Sequence, residues 1–339
     1  MPMPMQYEKL QDVYKKILSS YIESQTEEVL YQGQELSRKM LTDNISPEEL
    51  ISVHKNILEE VCPHVSKDVL HSLDFLLEVM IGYGIAYREH QNLRHRQREI
   101  QSEIEIAANV QQTLLETKIP KIPSVELGAI NVPAKHMSGD YYHFVEDDFD
   151  SFSVAIADVI GKGIPAAMCM SMIKYAMDSL PDVRKDPSYI LSNLNRVVEQ
   201  NVDVGMFITM FYGTYDWKRH VFTYASAGHE PPLLYNAKNG TFTELQARGL
   251  VLGIDRNARY AQYEQKIEKN DMIILFTDGV TECRTEQEFI NMDTINSLIK
   301  KYITLQPQAM VELVYRDLEK LQDFQLRDDF TLIILKRNV

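Results

Sequence analysis

Five aspartates stand at or beside the ends of apolar segments, where their carboxylates could do chemistry together. Asp140 lies in a Ser-Gly-Asp-Tyr segment, Asp158 ends the apolar run 154–157, and Asp278 ends the run 273–277. Asp328 and Asp329 directly precede a third run, 330–334. Carboxylates that converge at a sheet edge raise each other's pKa unless a cation compensates their charge. Because magnesium and manganese prefer hard oxygen ligands, the pattern predicts a divalent-metal site.

Each aspartate taken singly is better explained as a turn residue, since Asp and the Asp-Gly dipeptide are favoured in turns. Two other functions compete with metal-dependent hydrolysis. A magnesium-dependent nucleotidyl cyclase also joins regulatory helices to paired aspartates, but it would not require the separate Asp278 and Asp328 motifs. A non-catalytic scaffold would not need the complete aspartate set. The combination therefore favours an enzyme.

The elements that must position these aspartates are strands with few helices between them. Segments rich in β-branched and aromatic residues predict strands over 125–132, 152–157, 207–215, 221–225, 272–277 and 330–335. Helices are predicted over 164–180, 187–201 and 307–321. Because regular crossover helices are missing, the pattern argues against a doubly wound parallel sheet. The pattern predicts mostly antiparallel sheets with helices packed outside.

The first 84 residues predict a small helical bundle. Apolar residues recur every three or four positions from Leu10 to Tyr21, on one face of a helix. Ser46 is the predicted N-cap of another helix, with Pro47 in its first turn and Glu49 completing a capping box. A bundle of this size has a small core, which favours dimerisation.

A long helix is predicted after the bundle, because residues 85–116 contain no helix breaker. Heptad d positions fall at Leu93, Ile100, Ala107 and Leu114, and a positions at Gln97, Ile104 and Gln111. This seam favours a dimeric coiled coil that the two glutamines weaken. Glu89 at g and Arg94 at the following e favour a parallel pair. The alternative is an amphipathic helix lying on its own domain. The predicted organisation is a helical domain 1–84, a coiled-coil linker 85–119 and a catalytic domain 120–339.

Composition limits the partners and the compartment. The 339-residue chain has a net charge of −14, which argues against binding to nucleic acid or to an anionic membrane. Its three cysteines are far apart, so neither a disulfide framework nor a zinc cluster follows. No uninterrupted apolar run approaches the roughly 18 residues that span a bilayer. The sequence therefore predicts a cytoplasmic protein.

Short motifs occur in an order that is specific in combination. They are Ser138-Gly139-Asp140, Asp158-Val159-Ile160-Gly161-Lys162-Gly163, Ser226-Ala227-Gly228-His229-Glu230-Pro231, Asp278-Gly279-Val280-Thr281-Glu282 and Asp328-Asp329-Phe330-Thr331. In this order they resemble the bacterial PPM-type phosphatases of the SpoIIE-like group, and the match covers about residues 120–339. With its N-terminal helices and linker, the whole chain is similar to those members that switch on a bacterial general stress response.

The resemblance implies an α+β fold, an α-β-β-α sandwich of two mainly antiparallel sheets, with two Mn²⁺ or Mg²⁺ ions at one edge. Asp158 would bridge both ions, and the Val159 carbonyl would bind one. Asp278 and Asp328 would hold the other ion, and Asp140 would act through water or as an additional ligand. The implied reaction is hydrolysis of phosphoserine or phosphothreonine by a metal-activated water, without a phosphoenzyme.

Some positions leave alternatives open. Asp329 adjoins Asp328 and could replace it as the direct ligand. Many relatives carry an acidic residue at the position of His143, so a metal contact there is in doubt. Lys162 could meet phosphate, but a solvated turn lysine explains it equally well, and His229 is better explained as a structural hairpin residue.

The resemblance also implies partners. The substrate would be a phosphorylated anti-anti-sigma protein of the STAS type, and a kinase-like switch protein would activate the enzyme by binding its N-terminal domain. The helical pattern and the net charge, independently of the resemblance, predict a homodimer that binds neither nucleic acid nor membrane.

Overall fold

The computed structural model describes residues 4–43, 45–146, 150–160, 163–180, 184–202, 205–284, 290–324 and 326–338. The chain divides into two compact units, Met1–Gln101 and Ser102–Val339. The first contains α1, α2, α3 and the beginning of α4, with bounds Pro4–Ser24, Glu27–Thr42, Pro47–Val61 and Lys67–Leu115.

The N-terminal unit is helical, as predicted, with a small core that includes Leu10, Leu36 and Met40. The predicted start of α3 is confirmed. Glu49 donates its backbone N–H to the Ser46 hydroxyl at 3.3 Å, and its carboxylate accepts the Ser46 N–H at 3.0 Å. This capping box satisfies amide groups that the first turn of a helix leaves without partners.

Helix α4 is 49 residues long. Among the described residues, α4 is the one helix that is long enough and apolar enough to cross a membrane, judged by length and composition alone. Its most apolar 18-residue window has a mean hydropathy of 1.4 and is 6% buried. A single helix of this kind is weak evidence for a membrane span.

Strands of the second unit form two five-stranded sheets, ordered β1-β10-β9-β6-β7 and β2-β3-β4-β5-β8, with every strand pair antiparallel. The strands β1 to β10 span Val125–Val132, Asp140–Glu146, Ser151–Val159, Ile208–Asp216, Val221–Ala227, Leu233–Asn236, Thr241–Glu244, Tyr263–Lys266, Met272–Phe276 and Phe330–Arg337. The helices α5 to α9 span Ile164–Asp178, Pro187–Asn201, Asp278–Thr281, Met292–Lys301 and Pro307–Leu321.

Three apolar clusters hold these layers together. One lies between the sheets and includes Phe152, Phe211 and Ile333. A second lies under α5 and α6, and a third under α8 and α9. The predicted α+β class and α-β-β-α sandwich are therefore confirmed, and β1, α6 and α9 begin and end at the predicted residues.

The residues of the predicted coiled-coil seam are exposed in the middle of α4 and covered near its end. Leu93 and Ile100 are 63% and 52% exposed, as seam residues are in a single chain. Towards the end of the helix, Leu115 packs against the cluster under α5 and α6, and Gln111 is only 7% exposed. The last heptad thus follows the alternative of a helix lying on its own domain. The domain boundaries at 84 and 119 stay a prediction.

Candidate active site

All five predicted aspartates lie where strands of the two sheets end. Asp140 begins β2 and pairs directly with Asp158, the next-to-last residue of β3. Asp278 begins α7, two residues after the end of β9. Asp328 and Asp329 immediately precede β10, which pairs with β9 in antiparallel register. The carboxylates therefore come from both sheets.

Gly139 shows how closely some of these groups approach. A Cβ atom added to Gly139 would lie 3.4 Å from Asp158 Oδ1, 3.3 Å from Asp329 Oδ2 and 3.4 Å from the Val159 carbonyl oxygen. We call these three oxygens the oxygen cradle. Glycine leaves the space between them open, whereas a side chain would fill it.

A second glycine brings the other two aspartates together. A Cβ atom on Gly279 would lie only 1.9 Å from the Asp329 carbonyl oxygen, a distance that no side chain tolerates. The start of α7, where Asp278 lies, is therefore placed directly against the backbone of Asp328 and Asp329. The Asp-Gly dipeptide is thus required for close packing as well as for a turn.

Asp140 is buried, and its carboxylate connects the start of β2 to β10 and to the residue between β9 and α7. Its Oδ2 accepts hydrogen bonds from the Thr277 hydroxyl at 2.6 Å and the Thr331 hydroxyl at 2.7 Å. Burial raises the pKa of Asp140 well above its usual range, against these two hydrogen bonds, and the charges of Asp158 and Asp329 raise it further. A positive charge at this edge would relieve that repulsion.

Asp329 differs from Asp328 in its contacts. Its Oδ1 accepts the Ala134 N–H at 2.7 Å, and its Oδ2 accepts the Gly139 N–H. The side chain thus fixes the loop between β1 and β2 to the start of β10. Asp328 Oδ1 accepts the Asp329 N–H at 3.0 Å, and Asp328 lines a cavity.

Two histidines of interest pack inside the second unit. His143 is bonded to the Thr117 hydroxyl, with 3.1 Å between Nδ1 and Oγ1, and its Nε2 lies 3.4 Å from Asp178. It stacks on Tyr141 and so faces the helices rather than the Asp140 carboxylate. Burial lowers the pKa of His143, and the Asp178 charge opposes this.

His229 lies in the connection between β5 and β6. Its Nδ1 is 2.9 Å from the hydroxyl of Thr209, the residue that pairs with Asp158 across β3 and β4. Its backbone N–H donates to the Ser226 hydroxyl at 3.2 Å. Gly161 and Lys162 of the Asp158 motif lie outside the described residues.

Two cavities border the aspartates. A cavity of about 920 Å³ is lined by residues of α4 and by the segment that includes His136, Ser138 and Asp140. A smaller cavity of about 170 Å³ lies beside Asp328 and is lined in part by Arg284 and Arg327. The guanidinium groups can bind phosphate or carboxylate anions next to the site.

Sequence reasoning missed the residues that support these aspartates. Thr277 and Thr331 hold Asp140, and Gln111 bonds to the backbone of Ser138. Thr277 directly precedes Asp278, and Thr331 ends the Asp328-Asp329-Phe330-Thr331 motif, so their places in the sequence are a signal that could have identified them. Gln111 is 29 residues before Asp140 on a helix, and no local pattern connects the two.

The donor set fits a hard divalent cation. The oxygen cradle combines carboxylate and carbonyl oxygens, which are the ligands that magnesium and manganese prefer. Within the described ranges, no three His, Cys, Asp or Glu side chains converge closely enough to hold an ion by themselves. A bound ion therefore requires further ligands, such as the Val159 carbonyl and water.

Comparison with known proteins gives matches to both units. Residues 148–338 match the Stage II sporulation protein E (SpoIIE) family, and residues 12–86 match the N-terminal domain of phosphoserine phosphatase RsbU. The chain is 60% identical to phosphoserine phosphatase RsbU of Bacillus subtilis, over 98% of this chain and 99% of that protein.

Solved structures with lower identity support the fold. The SiaA-PP2C domain of Pseudomonas aeruginosa superimposes with a TM-score of 0.59 at 18% identity, covering 72% of this chain and 98% of that domain. The catalytic domain of the serine/threonine phosphatase PstP, solved with two manganese ions, gives 0.50 at 13% identity, covering 64% and 99%.

The resemblance drawn from the motifs is confirmed by these matches. The SpoIIE match covers more than half of the chain, and the identity to RsbU extends over nearly all of it. The chain belongs to the SpoIIE family of PP2C-type (PPM) serine phosphatases, and its two units are those of the RsbU phosphatases of bacterial stress signalling.

Proposed function

We propose that this phosphatase removes phosphate from a phosphoserine or phosphothreonine of a small STAS-type anti-anti-sigma protein. We also propose that a kinase-like switch protein activates it by binding residues 1–84. The oxygen cradle beside Gly139 is the observation that supports the catalytic part of the proposal. The likeness to the stress-response members of the family supports the substrate and the activator.

The ligands that we assign follow the motif order and the contacts. Asp158 would serve both ions, together with the Val159 carbonyl for one ion and with Asp278 and Asp328 for the other. We favour Asp328 over Asp329 because both Asp329 oxygens already accept backbone amides. When bound here, Mn²⁺ or Mg²⁺ supplies charge neutralisation at the phosphoryl group and activates water.

The chain's own residues keep the site in shape. Asp140 accepts both threonine hydroxyls and so ties β2 to β9 and β10, next to Asp278 and Asp328. Asp329 holds the Gly139 backbone against the oxygen cradle. We assign Arg284 and Arg327 to the anionic substrate, because their cavity adjoins Asp328 in a chain of net charge −14.

The remaining assignments concern assembly and compartment. We propose a homodimer paired through residues 85–116, since Leu93 and Ile100 expose an apolar stripe on α4. We keep the predicted domains 1–84, 85–119 and 120–339, with the contacts of Leu115 as a reason to include the end of α4 in any catalytic fragment. A cytoplasmic location agrees with three cysteines that form no disulfide.

The test uses the full chain and a phosphorylated STAS protein. Phosphate release is measured with chelator, with Mn²⁺, with Mg²⁺, and with each metal plus the switch protein. We expect release that requires metal and rises with the switch protein. Absence of release under every condition would refute the phosphatase proposal. Metal-dependent release from other phosphoserine proteins but not from the STAS protein would refute only the substrate.

A further inference from the structure

Gln111, near the end of α4, bonds to both backbone groups of one residue in the loop before β2. Its Nε2 donates to the Ser138 carbonyl at 2.8 Å, and its Oε1 accepts the Ser138 N–H at 3.3 Å. Gln111 is 7% exposed and Ser138 is 8% exposed, and both border the cavity of about 920 Å³ described above. The Nε2 also lies 3.6 Å from the sulfur of Met170 in α5.

The residue that Gln111 holds is joined directly to the oxygen cradle. The Asp140 N–H donates to the Ser138 hydroxyl at 3.0 Å. Gly139, the next residue, donates its N–H to Asp329 and accepts the Val159 N–H at 3.1 Å. A shift of Ser138 therefore moves the backbone that meets both the cradle and the buried carboxylate.

A glutamine is well suited to this contact. Its side-chain amide offers one donor group and one acceptor, which match the C=O and N–H of a single residue. A side chain without these groups would leave the Ser138 N–H and C=O buried and unsatisfied. The loop would then gain hydrogen bonds by moving towards solvent, away from its place beside the cradle.

We propose that Gln111 is a positioning residue of the active site, which holds the 138–140 segment beside the oxygen cradle so that Asp158 and the Val159 carbonyl can bind a divalent cation. Gln111 does not touch the cation or the substrate, and it acts through Ser138 and Gly139. This inference rests on the proposed metal-dependent function. It extends the site to a helix that none of the motifs includes.

The test replaces Gln111 by methionine, which keeps the length and apolar volume but neither hydrogen bond. Gln112→Met is the matched control, because Gln112 is the adjacent residue of the same helix and is exposed. The full chain is titrated with Mn²⁺ while phosphate release from a phosphoserine protein is followed, and Mn²⁺ binding to the free enzyme is measured by calorimetry. For Gln111→Met we expect about tenfold more Mn²⁺ at half-saturation in both measurements, as two lost buried hydrogen bonds suggest.

The rate at saturating Mn²⁺ separates positioning from other roles. At saturating Mn²⁺ we expect kcat to stay within about twofold of wild type. The bound cation would shift the population of the variant back to the conformation in which the 138–140 segment lies beside the oxygen cradle. A lowered melting temperature with an unchanged Mn²⁺ requirement would show a purely structural contact and would overturn the proposal. An equal effect of Gln112→Met would overturn it as well.

A second variant covers a failure of Gln111→Met to fold. Gln111→Asn keeps both polar groups on a side chain one methylene shorter, too short to reach Ser138, and the same criterion applies to it. The failure of the proposed function is distinct from these outcomes. A wild-type chain without metal-dependent turnover refutes the function, whereas a metal-dependent wild type with unchanged Gln111 variants refutes only this inference.

Discussion

His229 couples the stability of the second unit to pH. It is buried, and its Nδ1 lies 2.9 Å from the Thr209 hydroxyl. Burial lowers the pKa of His229 to about 4, and the nearby Phe276 carbonyl opposes this only in part. A folded-state pKa below the unfolded value means that protons bind more tightly to the unfolded chain. Above about pH 6.5, His229 therefore leaves the free energy of unfolding at its full value. As pH falls from there towards 4, protonation of His229 in the unfolded chain lowers the free energy of unfolding.

The expected loss follows from the two pKa values. The difference between about 6.5 unfolded and about 4 folded corresponds to about 3 kcal/mol in all, at 1.36 kcal/mol per unit. Between pH 7.5 and pH 5.0 the loss from this single group is about 2 kcal/mol. That is a large share of the free energy of unfolding of an ordinary domain, about 5–15 kcal/mol.

The assay uses the single tryptophan of the chain. Trp217 follows β4 and packs against the cluster between the sheets, so its fluorescence reports unfolding of the second unit. Urea unfolding is measured in chelator at pH 7.5 and 5.0 for wild type and His229→Asn. Asparagine does not titrate, and its Oδ1 can accept the Thr209 hydroxyl. We expect wild type to lose about 2 kcal/mol more than the variant between these pH values.

The matched control is His136→Asn, a replacement of an exposed histidine in the same unit. It is expected to leave the wild-type loss in place. Equal losses in wild type and His229→Asn would refute the reasoning, because they would show that the ring of His229 is hydrated in the folded chain.

Three further predictions concern the site itself. Asp278→Asn and Asp158→Asn are each expected to lower phosphate release at least about a hundredfold at every Mn²⁺ concentration, and a folded variant with near-normal activity would contradict the ligand role. Asp140→Asn should raise the melting temperature of the metal-free enzyme, measured by calorimetry, because it removes a buried carboxyl whose raised pKa disfavours ionisation. The same variant should lower the metal-dependent rate of phosphate release about tenfold. Arg327→Gln should raise KM for the phosphoprotein about fivefold with little change in kcat, since one charged hydrogen bond is lost, and an unchanged KM would remove Arg327 from the substrate site.

The strands that carry the site differ in how well the sequence predicts them. β3 and β9 read as apolar or β-branched runs, because nearly all of their residues are buried between layers. β2 was not predicted, because Asp140 and His143 interrupt its apolar pattern. Asp140 and His143 lie in the strand because of their contacts with other elements, and local strand propensity does not predict such positions.

The choice between Asp328 and Asp329 shows a limit of another kind. The two are adjacent and precede the same strand, so their order along the chain does not separate their roles. The structure separates them through Ala134 and Gly139, whose backbone amides bond to Asp329 from about 190 residues away in sequence. Such pairings depend on the packing of β2 beside β10, which no local pattern contains.

The two glutamines of the heptad show why periodicity alone misassigns a helix face. Gln97 and Gln111 have the same predicted position and the same side chain, yet Gln97 is exposed and Gln111 is buried against Ser138. A heptad repeat predicts which face is apolar, but it does not predict whether a second chain or the helix's own domain covers that face. Replacing both glutamines by leucine would therefore combine two opposite effects.

The linker prediction is accordingly tested with Gln97→Leu alone. Leucine at this a position should strengthen pairing of residues 85–116, so we expect more dimer by sedimentation equilibrium and a higher basal phosphatase rate without the switch protein. Adding Gln111→Leu should then lower the rate at limiting Mn²⁺ and leave the dimer in place, because it removes the bonds to Ser138. More dimer with an unchanged rate in Gln97→Leu, across a range of Mn²⁺ concentrations, would reject linker pairing as the switch.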